Sequence, residues 1–172
     1  MKSVKSNLAL IGCGILFCLG FLMFWAEVGR SATRQDVAVE RAATRICQDS
    51  LEQPRTHAGK IGKSAAYRAW QAKRWHRRAD RCNYHLHHPP HLRQFLCIHA
   101  GEGSWTSNTG NGYFGGMQAD LTFQRSYAPH LLARKGTANH WTMWEQLWMA
   151  ERAWRVRGFS PWPRTARHCG LL

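Results

Sequence analysis

The sequence predicts a small α+β domain in which helix dominates, and three observations point to it. Apolar residues recur at helical spacing on both sides of residues 104–117. That intervening stretch is rich in glycine, which indicates an irregular or hairpin segment. Before the domain stand a long apolar run and a strongly basic stretch, in a chain of 172 residues and net charge +14.

Residues 1–29 read as a signal anchor or a signal peptide. Leu8 to Ala26 is a run of 19 residues without a charge, preceded by Lys2 and Lys5. At about 1.5 Å per residue a helix of that length spans roughly 28 Å, close to the hydrocarbon thickness of a bilayer. Membrane attachment through residues 8–26, or secretion after cleavage, is therefore expected. Arg30, Arg34, Arg41 and Arg45 follow the run and outnumber the lysines before it, so an outside location rests on the substrate and not on the positive-inside rule.

Residues 30–89 read as a basic linker, partly helical. Residues 30–91 carry 13 Lys or Arg against five acids, whereas residues 92–172 carry nine against four. Ser64 to Arg81 has the pattern of a basic helix, with Tyr67, Trp70 and Trp75 among Arg68, Lys73, Arg74, Arg77 and Arg78. Such a helix serves as a solvated spacer packing its aromatic rings, or as a contact to anionic surfaces such as lipid head groups or wall-polymer phosphates. The histidine-rich run from Cys82 to His91 matches no metal-ligand spacing, so no metal and no cofactor is expected.

The domain itself is expected over residues 90–172. Leu92, Phe95, Leu96 and His99 share one helical face, so a buried helix should end at Gly101 to Gly103 and deliver Glu102 to a cleft edge. A second helix should follow Asp120, a good N-cap, through about Leu132. A third is marked by a capping box at Thr142-Met-Trp-Glu145, by Trp144, Leu147, Trp148, Glu151 and Trp154 at three- and four-residue spacing, and by Gly158 at its end. Its tryptophans and His99 are expected to be core residues, while Trp105, in a polar loop, is the better candidate for stacking on a ligand.

Asn108 to Gln118, NTGNGYFGGMQ, holds four glycines in eleven residues beside Glu102, the sole acid between Asp80 and Asp120. One proton donor next to an apolar ring and a groove of amides and aromatic faces suit cleavage of a glycosidic bond. The run from Trp105 to Gln118 resembles the core of the transglycosylase-like domain of resuscitation-promoting factors, where a Trp precedes Asn-Thr-Gly-Asn-Gly-Tyr-Tyr-Gly-Gly-Leu-Gln. Cys97 ahead of the acid, and Gly158-Phe-Ser-Pro-Trp-Pro163 with Cys169, resemble further parts of that family's pattern. The likeness covers about half the chain. Well-known members carry Glu directly after Cys, whereas here Glu102 lies five residues after Cys97. Ile98-His-Ala-Gly-Glu-Gly-Ser-Trp105 is closer to the Ile-His-x-x-Glu-Gly-x-Trp of the wider group.

The resemblance implies a lysozyme-like domain acting on the glycan strands of peptidoglycan, outside the cytoplasm. It implies Glu102 as general acid and base, with Thr109, Tyr113 and Gln118 lining the groove beside Trp105. It also implies a lytic transglycosylase route to a 1,6-anhydro product. Asp120 is the candidate second carboxylate if the enzyme is instead a muramidase-type hydrolase. Four cysteines lie outside the apolar run and allow three pairings. The resemblance favours Cys97 with Cys169, which leaves Cys47 with Cys82. Two other readings stay open. One is a non-catalytic wall-binding module, suggested by eight residues from Cys97 to Trp105 where the familiar pattern has six. The other is a tethered nucleic-acid or phosphopolymer binder, which leaves NTGNGYFGGMQ without a role, so no nucleic acid is expected.

Overall fold

The computed structural model describes residues 31–172. The anchor or signal reading of residues 1–29 lies outside the described residues. Among those described, no helix is long and apolar enough to cross a membrane. The architecture is predominantly helical. Among the described residues, strand pairing is limited to isolated bridges from Phe114 to Asn108 and to Ala119.

Helix α1, Arg34–Ser50, starts at a capping box in which Thr33 and Asp36 satisfy each other's amides. Helix α2, Ala65–His87, is capped by Ser64 and runs six residues beyond the Arg81 boundary read from the sequence. The two helices lie parallel: Ala32 O accepts from Arg68, Glu40 meets His76, Thr44 Oγ1 donates to Trp75 O at 3.3 Å, and Cys47 is bonded to Cys82. Parallel helices need a connection that returns the full length of the first. Residues 51–64 make that return, tied down by Gln48 to Thr56, Arg41 to Gly59 O and Gln71 to Lys60 O.

Helix α3, Leu92–Glu102, starts at His91, whose backbone N–H and ring Nδ1 both bond the buried Glu151 carboxylate. Phe95 and Ile98 are fully buried, but Leu96 is 39% exposed. The buried face is therefore turned from the one predicted. Ile98, three residues from Phe95, occupies the core, and Leu96 falls off the stripe about 100° away.

The expected second helix is broken. Asp120 does cap a helix, accepting from Phe123 N at 2.7 Å, but α4, Leu121–Tyr127, ends before Pro129 opens α5, Pro129–Lys135. The residue before a proline is disfavoured in helical conformation, and Ala128 sits at φ −153°, ψ 52°. Helix α6, Met143–Arg157, carries the predicted capping box and stops at Gly158. Its Trp148 is buried against Cys47 and Leu51 of the α1–α2 pair, donating its indole N–H to Leu86 O at 2.9 Å. Helix α7, Pro163–His168, closes the domain, with Cys169 bonded to Cys97 of α3.

One apolar core holds Phe95, Ile98, Met117, Leu131, Leu147, Met149 and Trp162 together. Trp144 and Trp154 pack on its edge, so the tryptophans of α6 are structural, as expected.

Candidate active site

The glycine-rich run is a series of tight turns built by its own side chains. Asn108 Oδ1 accepts from Gly110 N and Asn111 Oδ1 from Tyr113 N at 3.0 Å, both Asx turns. Phe114 and Ala119 exchange two backbone hydrogen bonds at 3.1 Å and close the loop. Gly115 sits at φ +71°, and a Cβ there would stand 2.3 Å from Gln146 Oε1, so only glycine fits. Gln146, fully buried on α6, anchors the loop at both ends: its Oε1 accepts from Gly116 N, and its Nε2 donates to Trp105 O at 2.8 Å.

Glu102 is the last residue of α3 and half-buried. Thr165 Oγ1 on α7 donates to its Oε1 at 2.7 Å. That contact depends on Gly101, where a Cβ would lie 2.8 Å from the Thr165 methyl. It depends also on the Cys97–Cys169 bond, which holds α7 against α3. Nothing in the sequence marked Thr165. It lies 63 residues from Glu102 on a six-residue helix, and only tertiary structure joins them.

The other three acids of residues 92–172 are committed elsewhere. Asp120 caps α4. Glu151 holds His91. Glu145 is fully buried and bonds Lys135 at 2.7 Å, Ser50, and the Thr142 backbone N–H. Burial alone would raise the Glu145 pKa, but the Lys135 and Thr142 bonds outweigh it and hold the carboxyl below its usual range.

Tyr113, Gln118 and Asp120 come together on a hollow of about 180 Å³, with Met117, Phe123, Arg157 and Trp162 on its walls. Arg157, Pro161 and Trp162 were not singled out as site residues. Gly158-Phe-Ser-Pro-Trp-Pro163, noted for its family likeness, was the signal that could have found two of them. Gln118 reaches both ways, because its Nε2 donates to Gly115 O and lies 3.3 Å from where a Cβ on Gly103 would stand, directly after Glu102. Its own φ is +47°, a left-handed conformation uncommon for glutamine.

Glu102, Trp105 and Thr109 do not line that hollow. Thr109 is exposed on the loop. Trp105 is half-buried and stacks on His99 with ring centroids 3.8 Å apart, so one of its faces is already occupied. His99 in turn donates from Nδ1 to Gly116 O at 3.1 Å, the satisfied core histidine that the sequence suggested. No cluster of three metal-ligating side chains occurs among the described residues.

No protein-family profile matches the chain. Among characterised proteins it is similar to resuscitation-promoting factor Rpf1 of Corynebacterium glutamicum, at 35% identity over 69 residues. The matched stretch is 40% of this chain and 35% of that relative, so the two share about a third of the relative's length.

Proposed function

We propose that the chain cleaves peptidoglycan glycan strands as a lytic transglycosylase, with residues 90–172 as a lysozyme-like domain and Glu102 as general acid and base. One observation carries the reading. Of the four acids in residues 92–172, Glu102 is the one whose carboxylate no backbone amide and no cation holds. A proton donor must be free to gain and lose its proton, whereas Glu145 and Glu151 are tied to Lys135 and His91 and Asp120 is engaged as the cap of α4. The likeness to Rpf1 and the Trp105–Gln118 run support the same substrate class.

Thr165 donates to Oε1, which leaves Oε2 to carry the catalytic proton. Glu102 gives that proton to the glycosidic oxygen as the bond from C1 of muramic acid breaks. The neighbouring acetamido group stabilises the developing cation. Glu102 then takes the proton of the 6-hydroxyl, whose oxygen closes on C1. The product is a 1,6-anhydro end, and no water is consumed. Tyr113 and Gln118 bind sugar hydroxyl and amide groups in the hollow, while Trp105 and Thr109 border the same loop as substrate contacts. On this reading Asp120 acts as the cap of α4, with Oδ1 accepting from the Phe123 amide, and no second carboxylate is required. The two disulfides support an extracytoplasmic location, with residues 1–29 as the anchor or export signal.

The test is incubation of the full chain with purified peptidoglycan, followed by mass analysis of the fragments. Anhydro ends, lighter by one water than reducing ends, are expected. Reducing ends would make the enzyme a hydrolase. Binding to the wall without cleavage, unchanged in Glu102→Gln, would make it a wall-binding module.

A further inference from the structure

The parallel α1–α2 pair carries a second feature that glycan cleavage does not use. Trp70, Arg74, Arg77, Arg78 and Arg81 fall at spacings that place them along one side of α2. Together these five residues line a hollow of about 330 Å³. A neighbouring hollow of about 420 Å³ shares Trp70, Arg74 and Arg78 and adds Arg41, Lys60 and Tyr67.

These cations are held in place but not neutralised. Arg74 lies 5.2 Å over the Trp70 ring, and Arg78 and Arg41 lie 5.0 and 5.5 Å over Trp75. Trp70 itself stacks on Tyr67 at 5.3 Å. No carboxylate lines either hollow. The nearest acids in sequence, Glu40 and Asp80, both meet His76. Arg41 also keeps a buried Nε–H without an acceptor. Burial, together with the like charges of Arg74 and Arg81, holds the Arg78 guanidinium below its usual pKa. Four arginines that repel one another around one cavity make a site that an anion would relieve.

We propose that this face of α2 binds a linear, base-free phosphodiester polymer, whose successive phosphates sit in the two adjoining hollows. Guanidinium forks suit phosphate oxygens. Two adjoining concavities that share Trp70, Arg74 and Arg78 suit successive phosphates of a chain. A single-stranded nucleic acid gains affinity by stacking its bases on open aromatic faces. Here Trp70 and Tyr67 face each other and Arg74 lies over Trp70.

The test measures binding of the full chain to a synthetic poly(glycerol phosphate), which requires no glycan cleavage and so stands or falls apart from the enzymatic reading. Arg77 and Arg81 are exposed, so their replacement should leave the helix pair folded. Arg77→Glu with Arg81→Glu is expected to weaken binding more than about tenfold and to flatten the dependence of log affinity on log salt by about two. Arg77→Lys with Arg81→Lys should stay within a few-fold, which separates loss of charge from loss of fold. Arg93→Glu with Arg125→Glu, an equal charge change on the other part of the molecule, should leave binding near the unmodified level.

Equal losses in both charge-reversed variants would reduce the site to a general field and overturn the proposal. Binding to phosphatidylglycerol vesicles without binding to the polymer would overturn it in favour of a membrane. Displacement of the polymer by a much lower concentration of single-stranded oligonucleotide would overturn it in favour of nucleic acid.

Discussion

The two halves of the described structure treat charge in opposite ways. In residues 92–172 three of four acids are spent on caps and a buried ion pair, and the fourth, Glu102, is held by one hydroxyl. In the α1–α2 pair the surplus is cationic, and Arg74 and Arg78 of α2 lean on tryptophan rings in hollows that no carboxylate lines. A single group left unsatisfied by the fold is suited to chemistry, because its proton can move. A row of like charges left unsatisfied is suited to recognition, because a ligand of opposite sign must complete it. Both regions are tied internally by a disulfide, and Trp148 and the Ser50–Glu145 bond join them.

The sharpest break between the halves is Glu102→Gln. Glycan cleavage should fall by about 10² to 10⁴, the usual worth of general acid catalysis, while thermal unfolding and polymer binding by α2 stay unchanged. Activity retained within a few-fold would remove Glu102 from its role.

The disulfides give the next largest contrast. Cys97 and Cys169 are 72 residues apart and Cys47 and Cys82 are 35 apart. In the loop-entropy model, replacing the first pair by serine should cost about 4 kcal/mol and the second about 0.6 kcal/mol less. Only the first should also lower turnover in the folded protein, because it holds Thr165 against Glu102. Equal turnover in the two variants would separate that disulfide from the site.

Acid should then distinguish the two parts more gently. The Glu145 carboxyl is held below its usual range in the buried pair with Lys135, and Asp49 is held low by its bond to Arg55, with Arg134 adding to it. A carboxyl whose folded pKa is depressed stabilises the fold above its unfolded pKa of about 4, and that stability is lost as pH falls through the folded value. Glu145→Gln should therefore flatten the acid limb of a stability profile more than Asp49→Asn, since the exposed Arg55 pair is screened by solvent. A larger effect at Asp49 would show that the surface pair matters more.

The smallest effect should be at Asp120. Asparagine caps a helix about as well as aspartate, so Asp120→Asn should leave activity and stability near those of the unmodified chain, whereas Asp120→Ala should cost about 1 kcal/mol through the lost cap of α4. A folded but inactive Asp120→Asn enzyme would restore the second-carboxylate reading.

What the sequence by itself determined is local. The capping box at Thr142, the stop at Gly158, the cap at Asp120 and the turn chemistry of Asn108 to Gly116 are interactions among residues a few positions apart, and their spacing encodes them. Helix α1 went unread among charges, although Thr33 and Asp36 form a box of the same kind, because its apolar stripe is thin. The break at Pro129 was legible in principle, since the constraint on Ala128 is local too. The family likeness pointed to Cys97 with Cys169, and the structure contains both expected disulfides. Tertiary structure alone decided the rest. It chose Ile98 over Leu96 for the core, set Trp105 on His99, and joined Thr165 to Glu102. It also paired a stretch read as a basic, partly helical linker into two parallel helices, which brings Arg41 of α1 beside Arg74 and Arg78 of α2 around one hollow. Contacts between residues dozens of positions apart depend on how elements pack, and packing is a property of the whole core that no window along the chain contains.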